Sequence, residues 1–163
     1  MKKIFLALLA FVLCCFSTTT AVAQQKTYKM NGVAFYNLEN LFDTIHAAGK
    51  NDYEFFPQGS YKWNTLKYTN KLTNMSQVLA SLCTEVGKMK NPLGAAVIGV
   101  SEIENRTVLE DLISQPKLKG ANYRICHYDS PDARGVDCAF LYRADVFKLE
   151  GSDNIKLEVE ELP

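Results

Sequence analysis

The sequence predicts an α/β fold, and three stretches carry that prediction. Val97-Ile98-Gly99-Val100 is a short, β-branched apolar run, the pattern of a strand buried on both faces. Tyr68, Leu72, Met75, Leu79, Leu82 and Val86 recur at alternating spacings of four and three, which draws one apolar stripe along a helix. Gly32-Val33-Ala34-Phe35-Tyr36-Asn37 reads as a first strand that ends, like the other, on a polar residue. A helix between two buried strands is the pattern of a layered domain with a sheet at its centre.

The 163 residues, 47% hydrophobic and 11% aromatic, fit one globular domain preceded by a targeting segment. Met1-Lys2-Lys3 is a basic start, Ile4 to Phe16 an apolar run, and Ala21-Val22-Ala23 a small-x-small cleavage site before Gln24. Residues 1–23 are therefore expected to be a cleaved signal peptide of bacterial type, leaving 24–163 as the domain. The apolar run is too short to span a bilayer comfortably, and no second span follows it. The expected location is periplasmic or secreted, with no membrane span. A lipid anchor on Cys14 or Cys15 ranks lower, because Leu13 stands where a small residue belongs.

Loss of Lys2 and Lys3 takes the 18 basic residues to 16 against 18 acidic, a net charge of about −2. Nothing in that balance advertises long-range capture of nucleic acid, although a small phosphate site is compatible with it. Of the five cysteines, Cys83, Cys126 and Cys138 lie beyond the signal, an odd number that leaves at least one thiol in an oxidising compartment.

Past the first strand, Leu38 to Asp43 reads as a turn or short helical segment. Thr44 to Lys62 is a long loop punctuated by Gly49, Pro57 and Gly59. Its acids Asp52 and Glu54 and its aromatics Tyr53, Phe55, Phe56 and Tyr61, with Trp63 just beyond, offer either a substrate wall or the loop's own miniature core, and the second is favoured. Asn64 or Thr65 can cap the helix and Gly87 is placed to end it, with Lys67 and Lys71 on its solvated side. Thr107 can cap a short helix with Leu109, Leu112 and Ile113 inward. Tyr123–Tyr128 and Val136–Arg143 read as strands around the turn Asp129 to Gly135, and Phe147–Glu150 and Ile155–Val159 as further short strands. If Tyr128 pairs with Val136, Cys126 falls opposite Cys138 and a cross-strand disulfide comes into reach, though strand neighbours often have the wrong geometry for one.

Polar groups converge at two strand ends: Asn37 with Glu39, and Glu102 with Glu104 and Asn105. If the strands are neighbours, those ends meet at one rim. A carboxylate and an amide there suit a hard cation such as magnesium, which keeps several waters and leans on substrate phosphate. On Val97 to Asn105 alone, however, solvated loop carboxylates account for Glu102 and Glu104 equally well. Zinc is disfavoured, since His46 and His127 are the only histidines and no Cys/His spacing fits. A glycosidase needs carboxylates flanking a sugar bond, usually from different strands. Glycine-rich phosphate loops are absent, and Ser101 lies in Gly-Val-Ser-Glu-Ile rather than a nucleophile elbow.

Phe35-Tyr36-Asn37-Leu38-Glu39-Asn40-Leu41-Phe42-Asp43 resembles the opening motif of the endonuclease/exonuclease/phosphatase superfamily, which includes deoxyribonuclease I and sphingomyelinases. Val97 to Asn105 is similar to its second motif, and Arg134-Gly135-Val136-Asp137-Cys138-Ala139-Phe140-Leu141-Tyr142-Arg143 to the strand that follows in secreted bacterial members. The resemblance runs from Gly32 to Arg143. It implies a four-layer sandwich, two mostly antiparallel sheets face to face with helices outside, and metal-dependent hydrolysis of phosphodiester or phosphomonoester bonds. By position, Glu102 would be the metal-binding carboxylate and Asn37 the amide that helps hold metal or scissile phosphate. The metal would be magnesium, or manganese or calcium. Asn105 and Arg134 would touch phosphate, unless Asn105 simply caps the next helix and Arg134 belongs to a solvated turn. Many relatives have Gln where Ser101 stands.

The family's mid-domain His, its Asp-x-Asn and its Ser-Asp-His do not occur, so the chain reads as the N-terminal portion of such a domain, truncated in mid-sheet and expected to associate or dissolve poorly by itself. The implied partner is a phosphate-ester substrate, nucleic acid among the options, with no stable protein partner. A non-catalytic binding module on the same scaffold is the alternative.

Overall fold

The computed structural model describes residues 29–155. The signal-peptide expectation over 1–23 and the expected strand beyond Ile155 lie outside the described residues. The chain divides into two units, Met1–Met30 and Asn31–Pro163. Of the first, Lys29 and Met30 are described, both exposed and without regular structure.

In chain order the second unit contains β1 (Val33–Leu41), α1 (Thr65–Ser81), a small hairpin of β2 (Glu85–Val86) and β3 (Met89–Lys90), β4 (Val97–Ile103), α2 (Arg106–Ile113), a 3-10 turn (Lys119–Ala121), β5 (Tyr123–His127) and β6 (Asp137–Arg143). The larger sheet has the order β1-β4-β6-β5. β1 and β4 run parallel, while β4–β6 and β6–β5 are antiparallel. A parallel pair cannot be joined by a tight turn, and α1 is the crossover that brings the chain back. The class is α+β, with a mixed sheet and two α-helices among the described residues.

Alternation along the strands decides what is buried. Ala34 pairs with Ile98 and Tyr36 with Val100, and Ile98 and Val100 pair in turn with Leu141 and Ala139. That face meets Leu72 and Leu79 of α1 and Val108, Leu109 and Leu112 of α2 in one core. Fully burying each large aliphatic side chain contributes about 1.5–3 kcal/mol before entropy is counted. The opposite face is bare. Val33 is 71% exposed, Phe35 69% and Phe140 57%. Gly99 lies between Phe35 and Phe140 in register, and a Cβ there would meet the Phe35 ring at 2.7 Å, so the glycine lets that ring lie across β4.

Several elements differ from the sequence reading, each for a local reason. Leu38 to Leu41 is neither turn nor helix: β1 continues to Leu41 through a bulge, with Asn37 opposite Ser101 and Leu41 opposite Ile103. The periodicity of α1 suggests a helix to Gly87, but the helix stops at Ser81 because Leu82 is already extended, and Gly87 (φ 61°) makes the β2–β3 turn. Asn64 caps α1, accepting from the Lys67 N–H at 3.0 Å. Asn105, not Thr107, caps α2, accepting from the Val108 N–H at 3.0 Å. Phe147–Glu150 forms no strand; β6 already has β4 and β5 as partners, and the segment pairs with neither outer edge of the sheet. Phe147 and Leu149 instead lie with Cys126, Phe140 and Tyr142 around a cavity of about 430 Å³ on the bare face. The β5–β6 register sets Cys126 opposite Phe140 rather than Cys138, and Cys83, Cys126 and Cys138 are all free thiols.

Candidate active site

Because β1 and β4 are parallel neighbours, their C-terminal ends meet at one rim, and the two expected polar groups are in contact. Asn37 donates its side-chain N–H to Glu102 Oε1 at 2.9 Å. The Asn37 Oδ1 accepts the Glu39 N–H at 2.6 Å, which fixes the rotation of the amide. Both strands are distorted at this point. Glu39 (φ 50°), Asn40 (φ 61°) and Glu102 (φ 57°) all adopt left-handed backbone, and such residues cost on the order of 1–3 kcal/mol each unless their surroundings hold them. The bulge thus turns Glu102 at the very end of β4, where it stays half-exposed.

The holding group is one the sequence hides. Lys71, on α1, donates its ammonium N–H groups to the carbonyl of Glu39 and, at 3.2 Å, to that of Asn40. Its Nζ also lies 5.6 Å from the centre of the Trp63 ring. Burial pushes the Lys71 pKa down, opposed by the nearby carboxylates of Glu39 and Glu102. Lys71 is therefore not on a solvated face; it offsets part of the rim's negative charge and clamps the bulge. Lys67 is likewise engaged, donating to the Tyr61 carbonyl at 2.7 Å.

Glu104 is buried at 6% exposure, not a solvated loop carboxylate. Its Oε2 accepts the Asp43 N–H at 2.7 Å, and its own N–H donates to the Leu41 carbonyl at 3.0 Å, so it joins the two strand ends from beneath. Burial pushes its pKa up to about 7; the Asp43 and Asp52 carboxylates push the same way, and the Asp43 N–H opposes them. Asn105, besides capping α2, approaches Asp43 Oδ2 with its amide at 3.5 Å. Arg134 sits in the β5–β6 turn, 59% exposed at its side chain, with Asp132 as its ion-pair partner at 3.5 Å. The structure thus joins Asn37 to Glu102 and leaves Asn105 and Arg134 engaged locally.

At the ends of β5 and β6, His127 Nε2 is 2.8 Å from Asp137 Oδ2, and both side chains are nearly inaccessible. Asp137 Oδ1 accepts the Ser130 N–H at 2.7 Å, and Asp129 completes a group whose ligand atoms lie within 4.8 Å of one another. The Glu102–Asn37 pair is chemically different, offering oxygen donors alone. Among the described residues Glu102 Oε2 takes no hydrogen bond, which leaves it open to a hard cation such as magnesium.

The long loop builds its own core, as favoured. Phe42 and Phe55 stack at 4.1 Å, Trp63 meets Phe55 edge-on at 6.2 Å, and Trp63 Nε1–H donates to the Phe42 carbonyl at 3.0 Å. Asp52, 1% exposed, accepts from the Ala47 N–H at 2.9 Å and pairs with His46 Nδ1 at 2.6 Å. Lys50 and Asn51 tie the loop to the β5–β6 turn through the carbonyls of Asp132 and Ala133 at 2.9 and 2.8 Å.

Among the described residues no helix is long and apolar enough to cross a membrane. Neither a curated protein nor a solved structure matches the chain. Residues 32–162 do match a family, a span that takes in the bulge, the Glu102 rim and the β5–β6 turn alike: the chain belongs to the endonuclease/exonuclease/phosphatase family, hydrolases of nuclease and phosphatase type.

Proposed function

We propose that the Glu102 rim is the metal and phosphate site of a magnesium-dependent phosphodiesterase or nuclease. The observation that carries this reading is the Asn37–Glu102 hydrogen bond of 2.9 Å, which holds one carboxylate at the sheet rim with its second oxygen free. Glu102 binds the cation, Asn37 orients that carboxylate, and Lys71 keeps the bulge that aims both. When bound, the cation supplies Lewis-acid polarisation of a phosphoryl oxygen. A rim carrying Glu39 and Glu102 against one lysine draws a divalent cation toward it.

The same reading makes the bare sheet face the surface on which a second sheet would pack, so that this chain is the N-terminal part of a longer domain. It also takes the segment over 1–23 as a signal peptide, giving a periplasmic or secreted protein. The test is hydrolysis of nucleic acid, glycerophosphodiester and phospholipid substrates by the full-length gene product, in magnesium and in chelator. Cleavage lost in chelator and in Glu102→Gln, with melting temperature unchanged, is the expected result. No cleavage of any of these in magnesium would overturn it and favour the non-catalytic binding module.

A further inference from the structure

Beside the rim lies a cleft of about 430 Å³, lined by Phe55, Tyr61, Trp63, Lys67 and Lys71 and reaching Glu39 and Asn40 of the bulge. That volume lies within the range of small-ligand sites, about 300–1,000 Å³. We infer that this cleft binds the base of a nucleotide phosphoester whose phosphate points toward Glu102. The inference rests on the phosphodiesterase reading of that rim and names its substrate class.

Three rings face one small volume, and all are held before any ligand arrives. Phe55 is stacked on Phe42, Trp63 is anchored through Nε1 to the Phe42 carbonyl, and Tyr61 lies 5.3 Å from Phe55 with half its surface (52%) in solvent. The loop core therefore consumes Phe42 and one face of Phe55, while Tyr61 and Trp63 stay at the cleft. Rigid aromatic surface gains stacking without ordering new side chains, and stacking is sequence-tolerant because every base has a π-face.

The cations complete the match. An ammonium carries three N–H donors. Lys71 spends two on the Glu39 and Asn40 carbonyls and Lys67 one on the Tyr61 carbonyl, so both retain donors for an anion next to the rings. A planar ring attached to a phosphate meets both requirements. A sugar phosphate or a lipid headgroup has no aromatic face to stack on these side chains.

Trp63 is the single tryptophan of the chain, so its fluorescence reports on this cleft alone. The full chain, in chelator, is titrated with adenosine monophosphate and separately with ribose 5-phosphate. Saturable quenching by the nucleotide and none by the sugar phosphate is expected. Tyr61→Ala should weaken nucleotide binding on the order of tenfold with melting temperature unchanged. Trp63→Ala, followed by calorimetry because it removes the reporter, should weaken nucleotide binding likewise, with some loss of melting temperature because Trp63 also packs on Phe55 and holds the Phe42 carbonyl.

Equal quenching by ribose 5-phosphate, or Tyr61→Ala binding within about twofold of the parent, would overturn the inference. Hydrolysis separates this from the underlying reading. Magnesium-dependent cleavage of glycerophosphodiesters without nucleotide quenching sinks the base subsite and leaves the phosphodiesterase standing. Quenching without cleavage of any phosphoester does the reverse.

Discussion

Asn37 and Glu102, 65 residues apart, share a hydrogen bond of 2.9 Å across a parallel strand pair. The amide aims the carboxylate, because Asn37 Oδ1 is itself pinned by the Glu39 N–H. Groups that orient a metal ligand typically cost 10–100-fold in affinity or activity when removed. Asn37→Ala should therefore weaken magnesium binding by roughly that factor, read by calorimetry, with a melting temperature close to the parent. Asn37→Asp sets a second carboxylate against Glu102 and should instead lower the melting temperature in chelator, with magnesium restoring part of it. An Asn37→Ala protein with unchanged metal affinity would make the contact incidental.

Lys71 offers a sharper test, since it touches the bulge carbonyls rather than the carboxylate pair. Lys71→Met keeps the stem and removes the donors to Glu39 and Asn40. Each charged hydrogen bond contributes about 1.5–3 kcal/mol at most, and relief of the buried charge offsets part of it. The net expectation is a loss of about 1–2 kcal/mol in urea unfolding, accompanied by a fall in metal affinity as the left-handed residues relax. Loss of stability with metal binding intact would mean that the bulge persists without its clamp.

Glu104 gives the metal-free chain a pH signature. Its pKa rises from 4.5 to about 7 on folding, so between those values the folded state holds a proton that the unfolded state has released. Raising the pH across that window therefore favours unfolding, by up to about 3 kcal/mol once the carboxyl is fully ionised. Glu104→Gln mimics the neutral form and still accepts from the Asp43 N–H. It should match the parent near pH 5, exceed it at pH 8, and flatten the slope between, as read from urea midpoints in chelator. A parent that gains stability over the Gln variant as pH rises would show that the Asp43 N–H outweighs burial.

The bare face predicts self-association. Val33, Phe35 and Phe140 form a contiguous apolar surface across β1, β4 and β6, of the kind that marks an interface or an aggregation hazard. The 163-residue chain should elute larger as its concentration rises and should bind a hydrophobic dye. Phe35→Lys with Phe140→Lys should shift it toward monomer without lowering the melting temperature. Concentration-independent elution of the parent would indicate that the surface is already covered.

What could be read in advance was whatever a short window carries. The stripe Tyr68, Leu72, Met75 and Leu79 and the apolar run Val97 to Val100 announce themselves; Leu72, Leu79, Ile98 and Val100 lie in the core with Tyr68 and Met75 packed against it, while Val97 and Gly99 belong to the bare face. Leu82 caps the helix and still packs against the core, whereas Val86 continues the spacing from within the β2–β3 hairpin that turns at Gly87. Leu38 and Leu41 look helical at a separation of three, but a bulge in a strand produces the same separation. Lys71 was invisible as a site residue because its partners are carbonyls 31 and 32 positions away. The burial of Glu104 is hidden for a related reason: it depends on Asp43, which arrives from the other strand.

The parallel pairing of β1 with β4 has a kinetic corollary. Asn37 cannot meet Glu102 until a loop of 65 residues has closed and α1 has docked, and contacts of high sequence separation are the slow ones in folding. On the ribosome the amide–carboxylate pair has no existence before residue 103 has emerged, whatever the helix has done by then. Recovery of cation affinity during refolding should therefore lag the return of helical signal, making the rim a clock for completion of the sheet.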